Sequence, residues 1–135
     1  MSELRIASRL EAIDDARRWI SNQLEEAGVG ETDRWAVELA VTETLSNVIR
    51  HAYRGEQEHE IMLVAALADG RLELRIVHWG EPLREDLRSV PDFDGSAQGG
   101  YGLYLIDELM DEVHRCEAPN GGTQVTLVKS RWEAP

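Results

Sequence analysis

Glu43 and Asn47 stand four residues apart in "ELAVTETLSNVIRHAY". On a helix that spacing puts both side chains on one face. A carboxylate there can take a proton from a hydroxyl group. A side-chain amide oxygen can ligate Mg²⁺, an ion that keeps several waters and borrows oxygens from phosphates. A bare Glu-x-x-x-Asn pair is also what the wet face of an amphipathic helix looks like, and alone it favours that interpretation. A second cluster, Gly99, Gly100 and Gly102 in "QGGYGLYLIDELMDEV", crowds a helix start. Glycines let backbone come close to phosphates, and the free amides and positive dipole end of the helix attract them. The spacing is neither the dinucleotide fingerprint nor the P-loop pattern. A third stretch, "NGGTQVTLVK", puts Gly121, Gly122 and Thr123 at a strand start. Taken alone it is a hairpin with a good strand former. The fourth, "VHWGEP", puts His78 at the end of a strand, where α/β proteins often carry chemistry.

These residues need elements to hold them. "LRIA" (Leu4 to Ala7) is a short strand. Ser8 and Glu11 have the spacing of a capping box that opens a first helix. Ile13, Ala16, Ile20, Leu24 and Ala27 recur at helical spacing along it, and Gly28 closes it. A second helix runs from Thr32 or Asp33 to about Tyr53, with Val37, Val41, Leu45, Val48 and Ala52 as its apolar stripe. Ala36 and Ala40 lie beside Glu43 and Asn47 and are small enough to leave room for a ligand. "HEIMLVAAL" and "RLELRIVH" are strands joined by the turn signal Asp69-Gly70. Glu81 to Gly100 is a long polar loop, of the kind that is functional or mobile in a compact domain. A third helix starts near Tyr101, and "VHRCE" and "TQVTLVK" are strands on either side of "APNGG". The last residues, "SRWEAP", form a loose tail. The order β-α-α-β-β-α-β-β predicts a two-layer α/β sandwich, one mixed sheet under three helices, in a single domain over residues 1–135.

Bulk properties narrow the function classes. Fourteen basic against 26 acidic residues give a net charge of −12, which argues against binding along a nucleic-acid backbone. It leaves room for a single nucleotide held by helix-start amides, and it favours a basic protein partner. The chain has no apolar run of membrane-spanning length and no secretory leader pattern, and Cys116 is its one cysteine. A cytoplasmic protein away from membranes is the expectation.

Taken in order, the stretches resemble the GHKL ATPase superfamily of gyrase, histidine kinases and MutL. Within it they are most similar to the anti-sigma-factor serine kinases of bacterial partner switches, the RsbW/SpoIIAB type. "ETLSNVIRHAY", ending in His51-Ala52-Tyr53, is similar to that family's N-box. "GGYGLYLIDELMDEV" resembles its glycine-rich box, and "GGTQVTLVK" its closing strand. The resemblance implies a Bergerat-type ATP-binding fold, with Glu43 as the general base on a protein serine and Asn47 as the Mg²⁺ ligand. It places Gly99, Gly100, Gly102 and Leu103 around the phosphates, and His51, Gly80 and Thr123 elsewhere in the nucleotide site. It also implies an ATP lid over Glu81 to Gly100, from which Arg84 and Arg88 could reach a phosphate, although a solvated arginine is the commoner case. The implied substrate is a STAS-domain anti-anti-sigma protein. The implied second partner is a sigma factor or another output regulator, and the implied state is a homodimer.

The sequence departs from the family at one point. Where the family has Asp-x-Gly, with an aspartate that accepts from the adenine amino group, this chain has His78-Trp79-Gly80. A neutral imidazole keeps one acceptor nitrogen, whereas an imidazolium keeps none. Three outcomes are open: a working kinase, a degenerate site on a non-catalytic regulator-binding module, or an altered base preference. Glu43 and Asn47 favour the first. A histidine-kinase catalytic domain fits less well, because no phosphoacceptor hairpin precedes the domain here.

Overall fold

The computed structural model describes residues 1–79, 100–118 and 121–130. Five strands and three helices follow one another as β1 (Ser2–Ala7), α1 (Leu10–Glu26), α2 (Glu31–Asn47), β2 (Glu60–Ala68), β3 (Arg71–His78), α3 (Gly100–Leu109), β4 (Glu112–Glu117) and β5 (Thr123–Ser130). This is the order read from the sequence. The sheet runs β1-β2-β3-β5-β4. All four pairings are antiparallel, so the sheet is not the mixed one expected. β2–β3 and β4–β5 pair with their sequence neighbours directly, β1 reaches β2 through α1 and α2, and β3 pairs with β5 rather than with β4.

Alternation fixes which face of the sheet is buried. In β3, Leu72, Leu74, Ile76 and His78 point to one side and are fully buried. Leu63 and Ile61 in β2 and Val125 and Leu127 in β5 join them. Against this face lie Ile13, Ala16, Ile20 and Leu24 of α1 and Val37, Val41 and Leu45 of α2. Each such aliphatic side chain contributes roughly 1.5–3 kcal/mol when removed from water. The β2–β3 turn is the two-residue type in which both residues take positive φ, with Asp69 at 54° and Gly70 at 72°.

Helix α1 stops as the sequence indicates. Gly28 takes φ +80°, and the Val29 N–H bonds back to the Leu24 carbonyl at 3.0 Å. Its start differs. No side chain caps α1, and Arg9 occupies the cap position. The Ser8 hydroxyl is spent elsewhere: it donates to the Glu56 carbonyl at 2.6 Å and accepts from the His59 N–H at 3.1 Å. The capping box gives way to a long-range tie between β1 and the entry to β2.

Helix α2 does not run on unchanged to Tyr53. After Asn47 the chain widens into a π-helical turn over Val48–Ala52, closed by the Tyr53 N–H bonded to the Val48 carbonyl at 2.9 Å. Such wider turns sit disproportionately at functional positions. Here it re-aims the chain just beyond the Glu43–Asn47 pair. Ala36 and Ala40, expected to leave space for a ligand, are buried, Ala40 completely and within the core.

Candidate functional site

Asn47 is the last residue of α2 before the π-helical turn. It is buried, and its Nδ2 has no hydrogen-bond partner among the described residues. A solvated polar face would not bury it. Leaving a buried amide donor unpaired costs about 1–3 kcal/mol, which a bound polar ligand can offset. Glu43 lies one turn earlier and is half-buried. The helix carrying both packs against α3, which begins at Gly100 and includes Gly102 and Leu103. His51 lies within the π-helical turn and is exposed.

His78 ends β3 on the core-facing side and is fully buried. Both ring nitrogens lack a hydrogen-bond partner among the described residues. Burial pushes its pKa down from 6.5 to about 4, so the ring is neutral at physiological pH. Its cross-strand partners are Ile61 on β2 and Thr123 on β5. Two residues singled out from distant stretches, His78 and Thr123, are therefore direct neighbours, with Cβ atoms about 5 Å apart in such pairs. An imidazole with one donor and one acceptor, both unmet, sits where the apolar rhythm of β3 calls for another leucine or isoleucine.

The end of β3 is held by contacts that sequence reasoning missed. The Tyr53 ring meets the His78 ring edge-on, with centroids 6.1 Å apart, and stacks on His59 at 4.7 Å. Its hydroxyl donates to the Glu60 carbonyl at 2.6 Å and accepts from the Trp79 N–H at 2.8 Å. Gly122 presses against the same place. A Cβ on it would come within 2.6 Å of the His78 carbonyl oxygen and 2.9 Å of the Trp79 indole. Tyr53 had a signal in the sequence, as the last residue of "RHAY"; its hydrogen bonds did not.

An open cavity of about 600 Å³ adjoins this region, lined by Ala52, Tyr53, Arg54, Glu56, His59, Glu60 and Trp79. Glu43, Asn47 and His78 are not on its wall. It meets the candidate site only through Tyr53 and Trp79, and it does not mark the chemistry. Gly80, Gly99, Arg84, Arg88 and the expected lid lie outside the described residues, as does the tail from 131 to 135.

The donor set fits the groups the resemblance implies. One amide at Asn47 suits an ion that takes its other oxygens from water and phosphate. Among the described residues no cluster of three or more His, Cys, Asp or Glu side chains offers a closed protein cage. The glycine-led start of α3 suits phosphate, and the unmet polar atoms of His78 suit the edge of a base. No helix of the described residues is long and apolar enough to cross a membrane.

Comparison with known proteins agrees with this arrangement. The family described as "Histidine kinase-like ATPase domain" matches residues 6–129. The serine-protein kinase RsbW of Staphylococcus epidermidis is 31% identical, over 94% of this chain and 84% of its own length. That of Bacillus velezensis is 28% identical, over 94% and 83%. A crystal structure of the RsbU and RsbW domains of Rv1364c from Mycobacterium tuberculosis superposes with a TM-score of 0.68 at 22% identity. It covers 96% of this chain and 32% of that one, a likeness of fold. The chain belongs to the histidine kinase-like ATPase domain family and, within it, to the RsbW serine-protein kinases.

Proposed function

We propose that the chain is an ATP- and Mg²⁺-dependent protein serine kinase and anti-sigma-type regulator in a bacterial partner switch. It phosphorylates a serine on a STAS-domain anti-anti-sigma protein. It also sequesters a sigma factor or an equivalent output regulator, and it works as a homodimer in the cytoplasm. The observation that carries this reading is the buried Asn47 amide, its Nδ2 unpartnered among the described residues, one helical turn from the half-buried Glu43 carboxylate.

In this mechanism Asn47 holds Mg²⁺, which when bound neutralises charge on the ATP phosphates. The backbone at the start of α3, Gly99 to Leu103 with Gly102, frames those phosphates. His51, His78, Gly80 and Thr123 complete the nucleotide site. Glu43 takes the proton of the incoming serine hydroxyl as its oxygen bonds to the γ-phosphorus. The bond from that phosphorus to the β–γ bridging oxygen breaks, leaving ADP and phosphoserine. Positioning and electrostatics do most of the work in such transfers.

The test uses purified protein, radiolabelled ATP with Mg²⁺, and candidate STAS-domain proteins from the same organism, any encoded beside this chain first. Label appearing on a serine of that protein supports the kinase. Tight partner binding with no transfer would replace it with the second reading, a regulator-binding module whose nucleotide site has decayed at His78.

A further inference from the structure

His78 differs from an oriented histidine in one respect. A histidine with a fixed role has one ring nitrogen pinned by a backbone carbonyl or carboxylate, and that bond sets the tautomer. Here neither Nδ1 nor Nε2 has a partner among the described residues, in a side chain that is fully buried. The Tyr53 hydroxyl does not pin it, because it is spent on Glu60 and Trp79. No ion pair reaches the ring among the described residues, and burial keeps it neutral. The nitrogen that meets a ligand is therefore free to be bare or protonated. A bare nitrogen accepts from an amino group, and a protonated one donates to a carbonyl.

Resting on the proposed nucleotide site, we infer that His78 makes the pocket indifferent to the group at C6 of a purine, so that 6-amino and 6-oxo nucleoside triphosphates bind alike. A carboxylate at this position would only accept. It would bind a 6-amino group and repel a 6-oxo group. The imidazole removes that repulsion by switching tautomer, because no group among the described residues holds either form. His78 is then the residue that sets base selectivity, and the chain serves as a kinase with a broadened donor.

The experiment is calorimetric titration of the full chain, with Mg²⁺, by ATP, inosine triphosphate and purine riboside triphosphate. The last lacks any C6 substituent, and inosine isolates C6 from the guanine 2-amino group. Wild type should bind ATP and inosine triphosphate within about threefold of each other, and purine riboside triphosphate about three- to tenfold more weakly, the worth of one neutral hydrogen bond. His78→Asp should favour ATP over inosine triphosphate by about a hundredfold. His78→Gln, neutral and carrying both donor and acceptor, should keep the wild-type pattern. If the aspartate variant does not fold, the wild-type series decides. A wild-type preference for ATP over inosine triphosphate beyond about thirtyfold would overturn the inference. So would equal binding of all three ligands, since His78 would then not address C6. Wild type binding none of them would overturn the nucleotide-site reading itself.

Discussion

The Tyr53 phenol oxygen accepts a hydrogen bond from the Trp79 backbone N–H at 2.8 Å, tying the end of the π-helical turn to the end of β3. The same hydroxyl donates to the Glu60 carbonyl at 2.6 Å, so three segments meet on one atom. Its ring supports His78 edge-on. Tyr53→Phe keeps the ring and strands both backbone groups. Folding stability should fall by about 1–3 kcal/mol, read from the denaturant midpoint. ATP affinity should fall with it, because the His78–Trp79 segment loses its anchor. A variant as stable as wild type would show that water replaces the hydroxyl without loss.

Gly122 is held to having no side chain by the same segment. In Gly122→Ala the new Cβ would meet the His78 carbonyl oxygen at 2.6 Å, and backbone must move. A destabilisation of about 1–3 kcal/mol is expected, the usual cost of overpacking. Thermal unfolding measures it. An unchanged midpoint would mean that the β4–β5 turn shifts freely.

Acid should destabilise the fold through His78. Its pKa is about 4 in the folded chain against 6.5 for an ordinary histidine. The unfolded chain therefore binds the proton first. The associated stability is fully present above about pH 6.5 and is lost as pH falls toward 4, in total roughly 3 kcal/mol. Nucleotide affinity should be flat from pH 8 to 5 as far as His78 is concerned, since the ring stays neutral there. His78→Gln should remove this part of the acid dependence of unfolding. An identical stability–pH curve for wild type and variant would refute the buried neutral ring.

Asn47→Ala should separate a ligand role from a structural one. Among the described residues Nδ2 is buried without a partner, so removing it should leave stability unchanged or slightly raised. The Mg²⁺-dependent part of ATP affinity should disappear. Calorimetry with and without Mg²⁺, beside a denaturation curve, reads both. A destabilised variant that binds ATP as wild type does would make Asn47 a packing residue.

The sequence made regular elements readable where periodicity carried them. The alternation from Leu72 to His78 and the helical stripe from Val37 to Leu45 both match the buried faces. Asp69-Gly70 and Gly28 announced a turn and a helix end through backbone conformations that glycine and aspartate tolerate. What failed was decided at long range. Ser8 had a local capping partner in Glu11, yet its hydroxyl found Glu56 and His59, about fifty residues away, and no local pattern encodes that. Strand direction likewise depends on how the chain returns from α3. Of the site, residue types were legible and environments were not. That Asn47 and His78 are buried with unmet polar atoms belongs to the folded state alone.

In the proposed mechanism Glu43 acts on the serine proton and has no part in holding the nucleotide. Glu43→Gln keeps size and polarity and loses the proton acceptor. The direct measurement is single-turnover transfer from radiolabelled ATP to the cognate STAS protein, with ATP affinity measured on the same preparation. The variant should bind ATP within a small factor of wild type and transfer phosphate about 10²–10⁴ times more slowly, the usual worth of a positioned base. Transfer at the wild-type rate by Glu43→Gln would contradict the claim.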